Sequence, residues 1–130
     1  MRSRLVKGSP VAQYMISVFH QPGIQDAGTA YQDDAAAQSA FAAVAEFNAA
    51  VQAAGHFVFA CGLMPPEAGH TVDATATTPN IQSGPFSVAA ASLGGFWIVE
   101  VLDEKLALDL ATRASAACGQ KVELRPLQAV

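Results

Sequence analysis

Cationic side chains are missing from most of this chain. Its seven Lys and Arg stand at positions 2, 4 and 7 and again at 105, 113, 121 and 125, so nothing between Gly8 and Glu104 is basic. Nucleic-acid binding rests on Lys and Arg neutralising phosphates, and a chain of formal net charge −4 with no cation in its middle is a poor partner for nucleic acid. Cysteine is equally scarce. Cys61 and Cys118 are too few for a disulfide scaffold and show neither CxxC nor Cys/His metal spacing, so no metal is expected and a reducing cytoplasm is the default location. Long apolar runs are absent as well: Gly8-Ser9-Pro10 interrupts any signal-like core after the basic start, and no later stretch is long enough to span a bilayer. Neither secretion, nor a membrane partner, nor a cofactor is expected. What remains is an ample apolar supply, 52% of 130 residues, which suffices for one domain with its own core.

Residues 1 to about 12 carry no period and mix charge with Gly and Pro, so they read as a flexible leader, with the single domain running from 13 to 128. Tyr14 to His20 is β-branched and aromatic, a first strand stopped by Gln21-Pro22-Gly23. After a polar loop over 21 to 33, Asp33 or Asp34 caps an Ala-rich helix reaching Ala54, with Phe41, Val44, Phe47 and Val51 on one stripe and Gly55 as its stop. His56 to Leu63 reads as a second strand, with Phe57, Phe59, Cys61 and Leu63 on one face, ended by Met64-Pro65-Pro66.

The Thr-rich stretch from His70 to Gln82 suits a small exposed hairpin, and Ser83-Gly84-Pro85-Phe86 a tight turn. A small-residue segment then runs through Ser92. Gly94-Gly95 opens the strongest strand, Phe96 to Leu102, which should be central. Asp103 caps a second helix, with Leu106, Leu110, Ala111, Ala114 and Ala117 as its apolar stripe and Gly119 as terminator. Lys121 to Arg125 is the last strand, closed by Pro126.

This order, β-α-β, hairpin, β-α-β, is the split βαβ pattern: an α+β, ferredoxin-like βαββαβ fold with an inserted β-hairpin. Both helices then cover one face of an antiparallel sheet. Yet the strands around Phe57–Phe59 and Phe96–Val101 are apolar on both faces, where a sheet with one solvated face would alternate. A second copy packed sheet to sheet would hide the bare side, so a homodimeric α+β barrel is expected.

Four segments carry a resemblance. Ala54-Gly55 through Cys61-Gly62-Leu63-Met64-Pro65, Ser83-Gly84-Pro85-Phe86, Leu93-Gly94-Gly95-Phe96-Trp97-Ile98-Val99-Glu100-Val101 and Val122-Glu123-Leu124-Arg125-Pro126 follow one another as in the YCII-related family, DGPF branch, which the chain resembles over residues 14 to 126. The resemblance implies a ferredoxin-like subunit, a dimeric α+β barrel and a ligand cleft between sheet and partner. It also implies a distant likeness in fold to muconolactone isomerase and small monooxygenases, and an association of some members with sigma factors. The chain departs from the pattern where that family carries its acids and base. Ser83 replaces the Asp of the turn, Val88 to Ser92 replaces a charged stretch, Cys61 replaces an acid, and Ala35 to Phe41 holds no histidine. A cleft more apolar than the family's follows, favouring binding over proton transfer.

Several residues admit both a functional and a packing role. His20, at a strand end, suits a general base because imidazole titrates near neutrality; it equally suits a loop-edge histidine. Glu100, between Val99 and Val101, suits a buried acid, a salt-bridge partner of Arg125, or an edge position. Cys61 has no cation nearby in sequence to activate it and reads as a small core residue. Trp97, Phe86 and Met64 offer adaptable walls for an apolar ligand, or packing surface. His56 and His70 fit no metal spacing.

The expected activity is binding of a small apolar or aromatic molecule in the barrel cleft. Cys61, Met64, Phe86 and Trp97 would be its walls and Ser83, Glu100 or His20 its polar contacts. The alternatives are a cofactor-independent isomerase or monooxygenase-like enzyme with His20 and Glu100 as base and acid, and an accessory protein of a transcription regulator.

Overall fold

The computed structural model describes residues 4–6, 9–21, 30–87 and 91–129. Among the described residues, seven strands and two long helices follow in the order β1 (Arg4–Val6), β2 (Ser9–His20), α1 (Asp34–Ala53), β3 (Phe57–Gly62), β4 (His70–Asp73), β5 (Asn80–Ser83), β6 (Ser92–Val101), α2 (Glu104–Cys118) and β7 (Val122–Pro126), with a 3-10 turn at Pro66–Ala68. The main sheet runs β7-β2-β6-β3, antiparallel throughout, and β1 pairs with the start of β2; β4 and β5 form a separate hairpin. This α+β topology is consistent with a ferredoxin-like fold.

Both helices begin as their sequences dictate. Asp33 Oδ1 accepts from the amide of Ala36 and Asp103 Oδ1 from that of Leu106, each at 2.8 Å, satisfying N–H groups that have no partner within the helix. At the far end of α2, Gly119 takes φ +68°, a left-handed conformation that costs a side-chain-bearing residue far more. Between β2 and β6 the register sets Tyr14 against Val99 and Ile16 against Trp97. Tyr14, Ile16, Val18, Trp97, Val99 and Val101 therefore share the face on which α1 places Phe47 and Val51 and α2 places Leu110 and Ala114. The core lies there. Trp97 meets Phe47 edge to face, ring centres 5.5 Å apart.

Four details differ from the expectation: two strand starts, the face of one phenylalanine and the buried stripe of α2. The first strand starts at Ser9, not Tyr14, because β6 extends far enough to pair with Ala12 and β1 pairs with Ser9 to Val11, so the expected leader boundary near residue 12 falls inside β2. Residues 1–3 and 7–8, most of the loop over 21 to 33, and residues 88–90 lie outside the described residues. A bulge between Phe57 and Phe59 sets Phe57 opposite Val99 on the helix face and Phe59 opposite Ile98 on the other, so these two do not share a face. On α2 the buried stripe is Ala107, Leu110, Ala111, Ala114 and Cys118, with Leu106 and Ala117 only partly buried. The small residues there let the helix sit close to the sheet. Gly94 and Gly95 lie inside β6 rather than before it.

The second face of the sheet carries Met15, Phe19, Phe96, Ile98 and Phe59, with the polar pair Gln13 and Glu100 at one end and Ser17, Glu123 and Arg125 toward the β7 edge. Most of these are half-buried, and Phe59 is 53% exposed. The hairpin places Val72 and Ile81 opposite each other, both exposed.

Candidate functional site

Where β2 and β6 end beneath the first half of α1, the sheet and helix diverge and leave a cavity of about 290 Å³. Val18, Ala60 and Trp97 from the sheet and Phe41 and Val44 from α1 give it apolar and aromatic walls; His20, Tyr31, Asn48 and Gln120 bring the polar atoms. Cys61 and Phe96 border it, although the register places their side chains on the opposite face.

The position of His20 follows from the strand. A bulge in the β2/β6 ladder after Val18 displaces Gly94 from direct pairing, and the imidazole packs on that glycine: a Cβ added there would lie 2.3 to 2.7 Å from the ring atoms. Only glycine leaves room for the ring. Gly95 plays a second role, since its missing side chain lets β3 approach, with Cys61 O only 3.0 Å from where a Cβ would stand. His20 is thereby buried at 6% exposure, a wall of the cavity rather than a loop-edge residue.

Two hydrogen-bonded groups frame the cavity. Trp97 Nε1 donates to Asn48 Oδ1 at 2.6 Å, tying the central strand to α1. On the other side the Tyr31 hydroxyl donates to the carbonyl oxygen of Cys118 at the end of α2. Burial pushes the Tyr31 phenol above its ordinary value, the neighbouring Cys118 adds to this, and a hydrogen bond with the Gln120 side chain opposes it. Burial likewise raises the Cys118 thiol. Both groups are therefore neutral around pH 7, and no Lys or Arg is among the lining residues.

The expected site residues divide into four places. Trp97 and His20 come together at this cavity; Cys61 borders it with its side chain on the other face, exposed and so neither a wall nor a core residue. Met64 and Phe86 line a different, wider groove of about 510 Å³ between the 3-10 turn and the hairpin, with Leu63, His70 and Leu93, and they are 78% and 93% exposed. Ser83 ends β5, exposed, opposite His70. Glu100 stands apart from all of them: it pairs with Gln13 across the ladder and accepts a hydrogen bond from Gln13 Nε2 at 3.1 Å.

His20 and Glu100 do not meet. His20 faces the helices and Glu100 the opposite side, and His20 and Gln13, the residue across from Glu100, are seven positions apart on β2, roughly 23 Å at strand rise. No proton could pass directly between them. Arg125, the considered ion-pair partner of Glu100, is bridged to Glu123 at 3.4 Å. His56 Nδ1 lies 3.2 Å from the backbone oxygen of Glu100, and His70 is on the hairpin. Among the described residues no group of three His, Cys, Asp or Glu could hold a metal ion, and no helix is long and apolar enough to cross a membrane.

Tyr31, Asn48 and Gln120 were not singled out from the sequence. Asn48 had a weak signal, a polar residue on the Phe41-Val44-Phe47-Val51 side of an amphipathic helix; Tyr31 and Gln120 sit in loops and had none. Compared with known proteins, the chain matches no family model and no curated protein.

Proposed function

We propose that this chain binds a small, uncharged, largely aromatic molecule in the cavity between α1 and the sheet. The observation that carries the reading is the burial of His20 and the Trp97–Asn48 pair in the wall of a chamber otherwise built from Val18, Phe41, Val44 and Ala60. Apolar pockets with a few placed polar groups are the usual form of a small-molecule site, and this volume suits one or two rings. A guest would take its apolar contacts from Phe41 and Trp97 and its orientation from the polar rim.

Two copies pairing through the open face of the sheet belong to the same reading. Met15, Phe19, Phe59, Phe96 and Ile98 make the β2-β6-β3 part of that face apolar, with Glu123 and Arg125 as a charged rim on β7, and a twofold partner would remove the apolar part from water. At about 25 cal/mol per Å², an interface of about 800 Å² per partner would gain tens of kcal/mol before entropy. Kinship with the YCII-related family and a cytoplasmic location are part of the proposal: element order and the two free cysteines accord with them.

Titration with toluene, followed by the emission of Trp97, the only tryptophan, tests the site. A saturable change is expected in the native chain and its loss in Val44→Phe, which fills the cavity. A linear, unsaturable response, or one unaltered by that substitution, would defeat the reading.

A further inference from the structure

The polar atoms around the cavity are unequally occupied. The Tyr31 hydroxyl donates to the Cys118 carbonyl oxygen and is hydrogen-bonded with the Gln120 side chain, and the Cys118 thiol lies 3.9 Å from the carbonyl oxygens of both Ser115 and Gln120. This cluster is spent on itself. The ring of His20 is seated on Gly94. Asn48 differs. An indole nitrogen can only donate, so the Asn48 atom 2.6 Å from Trp97 Nε1 must be the amide oxygen, and chemistry settles the orientation of the group. What Asn48 has left to offer a guest is the pair of N–H donors on Nδ2, for which no partner is found among the described residues.

A fixed, neutral donor in an aromatic chamber selects for an acceptor. With no Lys or Arg in the lining, a carboxylate or phosphate would meet no permanent cation, and its burial would carry a heavy desolvation cost. Building on the binding reading above, we infer that the ligand is an aromatic molecule bearing a neutral acceptor oxygen, of the aryl ketone or aryl aldehyde class, and that Asn48 Nδ2 donates to that oxygen. Trp97 is then the positioning residue: its N–H holds the amide so that the donors, not the oxygen, remain for the guest.

Acetophenone and 2-phenylpropene have the same shape and differ only in C=O against C=CH₂, so their affinity ratio isolates the oxygen. In the native chain acetophenone is expected to bind about three- to tenfold more tightly, the range one neutral hydrogen bond provides. In Asn48→Asp, which keeps an oxygen for Trp97 but removes both donors, and in Asn48→Leu, which adds no charge, the ratio should fall to one or below. Should either variant fail to fold, the native protein still decides: the Asn48 Nδ2 proton resonances should shift with acetophenone and stay put with 2-phenylpropene. A native ratio of one or less, a ratio untouched in both variants, or resonances that shift alike with both compounds overturns the assignment while leaving the cavity a binding site. Failure of toluene as well as both probes to bind removes the cavity reading itself.

Discussion

Phe96 and Trp97 are neighbours on one strand and live in different surroundings. Trp97, with Ile16, Val99 and Val101, lies against the helices and is almost wholly withdrawn from water; Phe96, with Ile98 and Met15, lies on the other face and is only half-buried. Both sets are apolar, so composition does not distinguish them. The difference arises because two helices can cover one face of a four-stranded sheet, and the strand's period of two sends alternate residues to each side. The covered face contributes stability; the open face leaves apolar side chains in contact with water.

Breaking the comparison begins with its two isoleucines. Ile16→Ala should cost about 2–5 kcal/mol in chemical denaturation, because Ile16 is fully buried and the space it leaves has no way to collapse. Ile98→Ala should cost clearly less at low protein concentration. If the open face pairs, its penalty should grow with concentration, as linkage to association requires. Equal, concentration-independent losses would mean that the two faces are equally covered.

The next largest effect is expected at the end of the same two strands. Gly94→Ala pushes a methyl group into the imidazole of His20 and should lose about 1–3 kcal/mol, the usual cost of overpacking. Combined with His20→Ala the two losses should not add, since removing the ring makes room for the methyl. Additive losses in a double-mutant cycle would show that His20 is held by something other than its seat on Gly94.

The smallest effect concerns the floor of the cavity. Cys118 and Tyr31 both have values raised by burial, so the native state resists their ionisation while the unfolded chain does not. Their contribution is intact below the ordinary thiol value of about 9 and is lost as pH rises through the native values. Thermal scans from pH 8 upward should show a declining midpoint, with a shallower decline in Cys118→Ala. An unchanged slope would place the alkaline sensitivity elsewhere.

Much of this architecture could be read from residue order. Asp33 or Asp34 and Asp103 as caps, Gly55 and Gly119 as stops, a hairpin over His70 to Gln82 and the centrality of the Phe96–Leu102 segment all follow from local chemistry; the structure has Asp33 and Asp103 as caps, both glycines at positive φ, the hairpin as His70–Asp73 with Asn80–Ser83, and Ser92–Val101 inside the sheet. Phe57 shows where local reading ends. Strict alternation puts it with Phe59, but one bulge turns it to the helices, and no residue type announces that bulge. The site suffered more from the same blindness. Glu100 and His20 were plausible partners on chemistry alone, but only the register reveals that they occupy opposite faces and opposite ends.

Taken by itself, the order of residues determined the elements after Tyr14, the helix caps and the apolar residues on both sides of the central strands, because periodicity, capping and glycine conformations act over a few residues. Which apolar face is buried, which histidine becomes a cavity wall and which amide keeps its donors for a guest were decided by tertiary structure. Those outcomes depend on strand register and on contacts between residues as distant as Asn48 and Trp97, and no local rule encodes a meeting of side chains that only packing brings within 2.6 Å.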